Sequence, residues 1–305
     1  MSLLRHGKRA LDRGLAAWTD FGTMLLKKAV ITAADWKQQF LPLQTIVDRE
    51  GRNRRVLGLL LDEITSAGIE HVALVIRPGD EPLYREAADA AQARVTFIEQ
   101  PEPRGYGHAI LCAARFTEDE PFLLMVSDHV YVSDLPGQTC AQQLAAVAAN
   151  HDGIVSAVQA THESRLSYFG TVGGTLFEAR QRLYQVQRVL EKPSPTQAEQ
   201  ALLTPGLRHG YYLCFLGMHV LTPLVLTVLE EKLASLPPGE MLDLSHSLDV
   251  AAQRTRYLAC ALQGRRYDLD HRHGVLMAQL AVALDGKYRD DLLNGLVELL
   301  AQTRK

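Results

Sequence analysis

The chain contains only four cysteines, at positions 112, 140, 214 and 260, far apart and each among apolar neighbours. That scarcity argues against a disulfide scaffold or a cysteine zinc site, and it implies reduced core thiols in a cytoplasmic compartment. No apolar run approaches the roughly 18 residues that span a bilayer, so a membrane-spanning role is not expected. A dominant charge is missing as well: 32 basic and 35 acidic side chains leave a net charge of -3 over 305 residues. Without a basic field, neither nucleic acid nor an anionic membrane is an expected partner. Internal repeats and low-complexity tracts are absent too. Residues 1–26 carry basic side chains but no continuous apolar stretch of the kind a secretory signal needs, and they are expected to form a helical extension.

What is present is a 47% hydrophobic composition, enough to fill a sizeable core, distributed in a regular alternation. Short β-like runs stand at KAVITAA (28–34), HVALVI (71–76), RVTFIE (94–99), FLLMVS (122–127) and GIVSAVQA (153–160). Between them lie segments with apolar residues at helical spacing, the first ending at Gly68 as a helix stop. Strand and helix in alternation predict an α/β fold, Rossmann-like, with a mostly parallel sheet flanked by helices. Beyond residue 160 the rhythm breaks into FGTVGGTLFE, RLYQVQRVLEKP and YYLCFLGMHVL, which predict an appended antiparallel lobe. The expected organisation is therefore one domain over 27–302, with halves at 27–160 and 161–302.

The most informative residue is Asp128, an acid that abruptly ends the apolar run FLLMVSD. At the carboxyl end of a central strand a carboxylate sits where ligands bind in such sheets, and its charge needs water, a cation or a metal nearby. A helix cap or turn acceptor is the alternative role of such an acid.

Taken in order, KKAVITAA with FLP at 40–42, SAGIEHVALVI, EQPEPRGYGHAI, LLMVSDH, LEKP, LGMHVLTP and QGRRYDLDHRHGVLMAQLAVAL resemble the bacterial-type glucose-1-phosphate uridylyltransferases, within the sugar-1-phosphate nucleotidyltransferase superfamily. The resemblance runs from about Lys28 to Ala301. It implies a nucleotide-diphospho-sugar transferase fold with a sugar-binding lobe, UTP and glucose 1-phosphate as substrates, UDP-glucose and pyrophosphate as products, magnesium as cofactor, and a homo-oligomer. Residue by residue, it implies that Asp128 holds the metal, with Asp268 of the RYD motif as a second ligand. Asp270 stands where the family pattern has glycine, and the choice between Asp268 and Asp270 stays open. Gln100, Gly105 and Gly107 match the nucleobase-binding segment, with Ala33 and Ala34 on the other side of the base. Gly170, Glu191 and Lys192 match the sugar site, where the lysine meets the sugar phosphate. From the residues alone, Gly105 and Gly107 could equally mark a tight turn, Gly170 a hairpin bulge, and the EKP a solvated turn.

The chain departs from the pattern where the family wraps the triphosphate. The Gly-Xaa-Gly-Thr-Arg loop is replaced by Asp35, Trp36, Lys37, Gln38 and Gln39, which removes the permissive backbone and the arginine together. Lys37 and Arg49 are the candidate replacement cations. Another arginine of the pattern is lost at Gly217-Met218-His219. Two readings follow: a working uridylyltransferase with a remodelled loop, or an impaired paralogue that binds nucleotide sugar as a regulatory or partner subunit.

Overall fold

A computed structural model of the protein describes residues 26–88 and 92–302. The helical extension expected over residues 1–26 lies, Leu26 apart, outside the described residues. The chain begins with β1 (Lys28–Thr32), the hairpin β2 (Thr45–Val47) and β3 (Asn53–Arg55), α1 (Val56–Ser66), β4 (His71–Ile76), α2 (Glu81–Ala88) and β5 (Arg94–Glu99). It continues through α3 (Tyr106–Cys112), α4 (Ala114–Thr117), β6 (Phe122–Val126), β7 (His129–Ser133), α5 (Cys140–Ala148) and β8 (Ile154–His162). After a 3-10 turn at 163–168 come β9 (Thr171–Glu178), β10 (Leu183–Leu190), α6 (Pro195–Ala201), β11 (Tyr211–Leu221), α7 (Pro223–Ser235) and α8 (Leu244–Ala252). The last elements are β12 (Tyr257–Ala261), β13 (Gly264–Asp268), α9 (Gly274–Leu284) and α10 (Arg289–Gln302).

A nine-stranded sheet runs in the order β5-β4-β1-β6-β11-β8-β12-β10-β9. β5, β4, β1 and β6 are parallel, and β12 is parallel to β8. β11 runs antiparallel between β6 and β8, and β9 and β10 form an antiparallel hairpin at the far edge. The antiparallel strands expected beyond residue 160 thus extend the same sheet, and one of them is inserted at its centre.

The continuous apolar runs exist because both faces of the sheet are covered, so neither side chain of an alternating pair can be polar. Ile31, Leu74, Leu123 and Met125 pack into one core layer with Leu57, Leu60, Leu61 and Ile64 of α1. Val30, Val75, Phe122 and Leu124 pack into the other, against Ile110 of α3, Val225 and Leu229 of α7, and Leu248 of α8. A side chain of this size contributes about 1.5–3 kcal/mol when fully buried. α1 stops where Gly68 takes a φ of +81°, which lets its N–H turn back to the Thr65 carbonyl. All four cysteines are free thiols, three of them buried, and burial pushes those three up in pKa. Among the described residues no helix is long and apolar enough to cross a membrane.

Two pairings lie outside the main sheet. β2 pairs with β3, and β7 pairs with β13, placing Asp268 opposite His129. The second pairing positions the site, because β7 begins one residue after Asp128.

Candidate active site

Ser127 and Asp128 follow the carboxyl end of β6, next to β1, where the strand order reverses between β5-β4-β1 on one side and β6 on the other, a place where open α/β sheets leave a crevice. Asp128 is buried at 7% exposure, and its Oδ1 accepts a hydrogen bond from His129 Nδ1 at 2.7 Å. Burial alone would push the carboxyl up in pKa; the adjacent His129 ring and the Arg266 guanidinium oppose it and hold the group below the usual carboxylate range. Asp128 is therefore an ionised, enclosed carboxylate at neutral pH. Its backbone carbonyl accepts the Leu269 N–H at 2.8 Å, which ties the end of β13 to the end of β6. Asp268, on the same strand end, accepts from the Asp270 N–H at 2.9 Å. Asp270 turns away to accept from Gln38 Nε2 at 3.2 Å.

Arg266, which sequence reasoning passed over, is the half-buried cation behind this site. Its guanidinium carbon lies 3.5 Å over the Phe169 ring, and burial pulls its pKa down to about 10. Its Nη1 is buried without a hydrogen bond. The Tyr106 hydroxyl is likewise buried without one, although Thr32 lies beside it; burial, with Asp128 and Glu191 near, pushes it up in pKa.

Beside Asp128 opens a pocket of about 170 Å³ whose wall includes Tyr106, His129, Gly170, Glu191, His219 and Ser245. Glu191 sits at the end of β10 and accepts from Ser245 Oγ at 2.5 Å. Lys192 follows in the left-handed region at φ +46°, a conformation that costs a non-glycine residue about 1 kcal/mol or more. The strain is held in place by its N–H bonding the Phe169 carbonyl at 3.2 Å, and by Ser194, which caps α6. The Lys192 amine stands 3.8 Å from Glu191, and its side chain remains 58% exposed. A Cβ on Gly170 would lie 2.6 Å from the Phe215 ring and 2.7 Å from Ser245 Oγ, so glycine here lets the strands close around the pocket.

Ala33 and Ala34, at the end of β1, are buried, and the Ala33 N–H bonds the Val75 carbonyl at 2.7 Å. Gln100 donates through Nε2 to the Gly105 carbonyl at 3.2 Å and meets His108 Nδ1 at 3.0 Å. Gly105 takes φ +100°, and a Cβ there would lie 2.6 Å from the Leu242 carbonyl oxygen. A Cβ on Gly107 would lie 2.7 Å from Leu242 Cγ and 2.8 Å from Leu229 Cδ2. Packing against the segment before α8 thus accounts for both glycines.

The 35–39 loop is a run of turns, not an open nest. Asp35 accepts the Lys37 N–H at 2.9 Å, Gln38 N–H returns to the Asp35 carbonyl, and Gln39 is pinned by Arg77 and by the Tyr84 hydroxyl. Lys37 lies 5.5 Å over the exposed Trp36 ring. Through Gln38 and Asp270 this loop touches the segment that follows β13. Arg49 does not join the pocket. Its Nε lies 2.7 Å from Asp285 without aligned hydrogen-bond geometry, its carbonyl accepts the Lys287 N–H, and it lines a second cavity of about 340 Å³. The two cavities share no lining residue.

A largely parallel α/β sheet with an ionised aspartate at one strand end and a pocket lined by Glu191 beside it is the architecture of a protein that binds its ligand at the strand ends. The chain belongs to the Nucleotidyl transferase family, whose model matches residues 31–247. It is 26% identical over 295 residues to the UTP–glucose-1-phosphate uridylyltransferase of Bacillus subtilis (strain 168), covering 88% of this chain and 95% of that protein. It is 25% identical to the enzyme of the same name from Streptococcus pneumoniae serotype 4, covering 91% and 97%. Among solved structures, a UDP-glucose pyrophosphorylase complexed with UDP-glucose matches with a TM-score of 0.68 at 23% identity, over 84% of this chain and 98% of that one. The UTP-bound enzyme from Acinetobacter baumannii matches at 0.71 and 21%, over 90% and 100%.

Proposed function

We propose that this chain transfers the uridylyl group of UTP to glucose 1-phosphate. The observation that carries the reading is that ionised Asp128 and Glu191, the residue before Lys192, both lie near the Tyr106 hydroxyl on the wall of one pocket, in a chain aligned over nearly its full length with uridylyltransferases. An oxygen of the sugar phosphate attacks the α-phosphorus; that P–O bond forms while the bond from the α-phosphorus to the bridging oxygen breaks, and pyrophosphate leaves. Glu191 accepts a sugar hydroxyl proton in a hydrogen bond, and Lys192 neutralises the sugar phosphate. Lys37, on the exposed loop that reaches the Asp270 segment, is the cation available to the triphosphate. Arg49, already paired with Asp285, is the poorer candidate.

Asp128 and Asp268 would hold magnesium. Among the described residues no cluster of three or more protein ligands exists, which suits an ion that takes one or two carboxylates and completes its shell with water and substrate phosphate. When bound, the ion neutralises phosphate charge. UTP, magnesium and glucose 1-phosphate incubated with the protein should release pyrophosphate and yield UDP-glucose. UDP-glucose binding without any release would overturn the catalytic reading and leave a nucleotide-sugar-binding protein.

The four free thiols and the absence of a membrane-spanning helix among the described residues support a cytoplasmic protein. α10 buries none of its residues, and Val297, Leu299, Leu276 and Met277 of α9 and α10 are exposed, which supports a second copy covering this face. Light scattering should show a dimer or larger assembly, and Leu299→Glu should shift it toward monomer; a monomeric wild-type protein at micromolar concentration would rule this interface out.

A further inference from the structure

His219 occupies the position where the pocket meets the centre of the sheet. β11 carries an irregularity between Phe215 and His219, where Gly217 takes φ +84°, and a Cβ on that glycine would lie 2.7 Å from Val126. Phe215, Gly217 and His219 are alternate residues of the strand and line the pocket together. Beyond the bulge His219 is again in register with Ser156 of β8, and its ring sits edge-on to Phe215 at 4.8 Å.

The ring is not free to choose its tautomer. Nδ1 lies 2.7 Å from Ser156 Oγ, and the same oxygen lies 2.7 Å from the Tyr257 hydroxyl. Tyr257 is fully buried, and Ser156 is its hydroxyl's one hydrogen-bond partner among the described residues. If His219 donated from Nδ1, Ser156 would either donate onward to Tyr257 and strand the tyrosine proton, or accept from both rings and strand its own. Stranding a buried donor is costly, so the order runs the other way: Tyr257 donates to Ser156, and Ser156 donates to Nδ1. The remaining ring proton is then on Nε2, which has no hydrogen-bond partner among the described residues and belongs to a ring that lines the pocket. Burial also drives the His219 pKa down to about 3, so the ring is neutral when it does this.

The pocket therefore offers two complementary groups. Glu191 is an acceptor, its other oxygen occupied by Ser245, and His219 is a donor. We propose that His219 is a specificity-determining residue: its Nε2–H, fixed by the Tyr257–Ser156 relay, hydrogen-bonds one hydroxyl oxygen of the bound hexose. The sugar part rests on the function proposed above; the donor part rests on the structure alone.

Long-range proton–nitrogen correlation spectra of nitrogen-labelled histidine, recorded without ligand, should show His219 as the Nε2–H tautomer from pH 5 to 8. The Nδ1–H tautomer would overturn the proposal whatever the protein binds. Calorimetry with UDP-glucose and its four monodeoxyglucose analogues tests the sugar part. One analogue should bind wild type about tenfold more weakly, while His219→Phe should lose about the same factor for UDP-glucose and no longer distinguish that analogue. His219→Gln, whose amide N–H stands near the Nε2 position, should recover part of the discrimination. Equal discrimination in wild type and His219→Phe would overturn the sugar contact. No UDP-glucose binding by wild type would remove the proposed function and this contact with it, and the tautomer would still decide the donor.

Discussion

Asp128→Asn should reduce pyrophosphate release at least about 10³-fold, equivalent to roughly 4 kcal/mol of transition-state stabilisation. The amide retains the shape of the carboxylate and an oxygen able to accept from His129 Nδ1 at 2.7 Å, so the buried pairing survives the change. The charge is what is lost, and this is a group whose charge the fold goes to some length to retain. Burial opposes ionisation, while His129 and Arg266 overcome that opposition and keep the pKa low. A carboxylate held ionised in a nearly closed site is suited to a cation that must balance several phosphate charges. Lys192→Met should have a smaller effect, because its amine is largely exposed and bulk water shares the neutralisation. The decisive control is thermal unfolding: the Asn protein should melt close to wild type. If it retained more than a tenth of the activity, Asp128 would not be the metal residue and the assignment would pass to the Asp268 segment.

What could be read from the sequence follows from where the stabilising contacts lie. The parallel strands are legible because a strand buried on both faces must be apolar at every position, and residues 29–31, 72–76 and 122–125 are all fully buried. The strand-end acid Asp128 stands out against such a run for the same reason, whereas Glu191 follows the half-polar β10 and was legible only through the family resemblance. β7 and β13 were not legible. Each is five residues long, partly exposed, and paired with a segment far along the chain, so neither carries a local period. Gly105 and Gly107 were visible as glycines, but the reason for them is Leu242, which no local pattern announces. The loss of glycine from 35–39 was plain, whereas the means of replacing it was not. Asp35 within the loop, Arg77 just after β4 and Tyr84 of α2 close it with side-chain bonds. His219 entered the sequence reading only as part of a site that lacked a cation; its partners Ser156 and Tyr257 lie on two other strands and become its neighbours only through sheet register.

That buried relay has a consequence for stability in acid. His219 is pushed from the ordinary histidine value of 6.5 down to about 3. The unfolded chain therefore binds a proton that the folded chain refuses, so the stabilisation is complete above pH 6.5 and is lost as pH falls toward 3. Linkage puts the loss at about 2 kcal/mol between pH 7.5 and 5, and about 4 kcal/mol by the time the folded-state pKa is reached. Other groups overlap this window from both sides. Asp48 and Asp128, held below the ordinary carboxylate range, add their own loss only below about pH 4. Glu63, pushed up by burial, works in the opposite sense and costs stability as pH rises above its unfolded value. The wild-type curve is thus a sum, and the difference from His219→Phe isolates the histidine. Urea unfolding at pH 7.5, 6 and 5 should show wild type losing about 2 kcal/mol more than the variant over that range. Parallel curves for the two proteins would mean that the ring takes up a proton in the folded state, and that Ser156 does not hold it in the buried, neutral form.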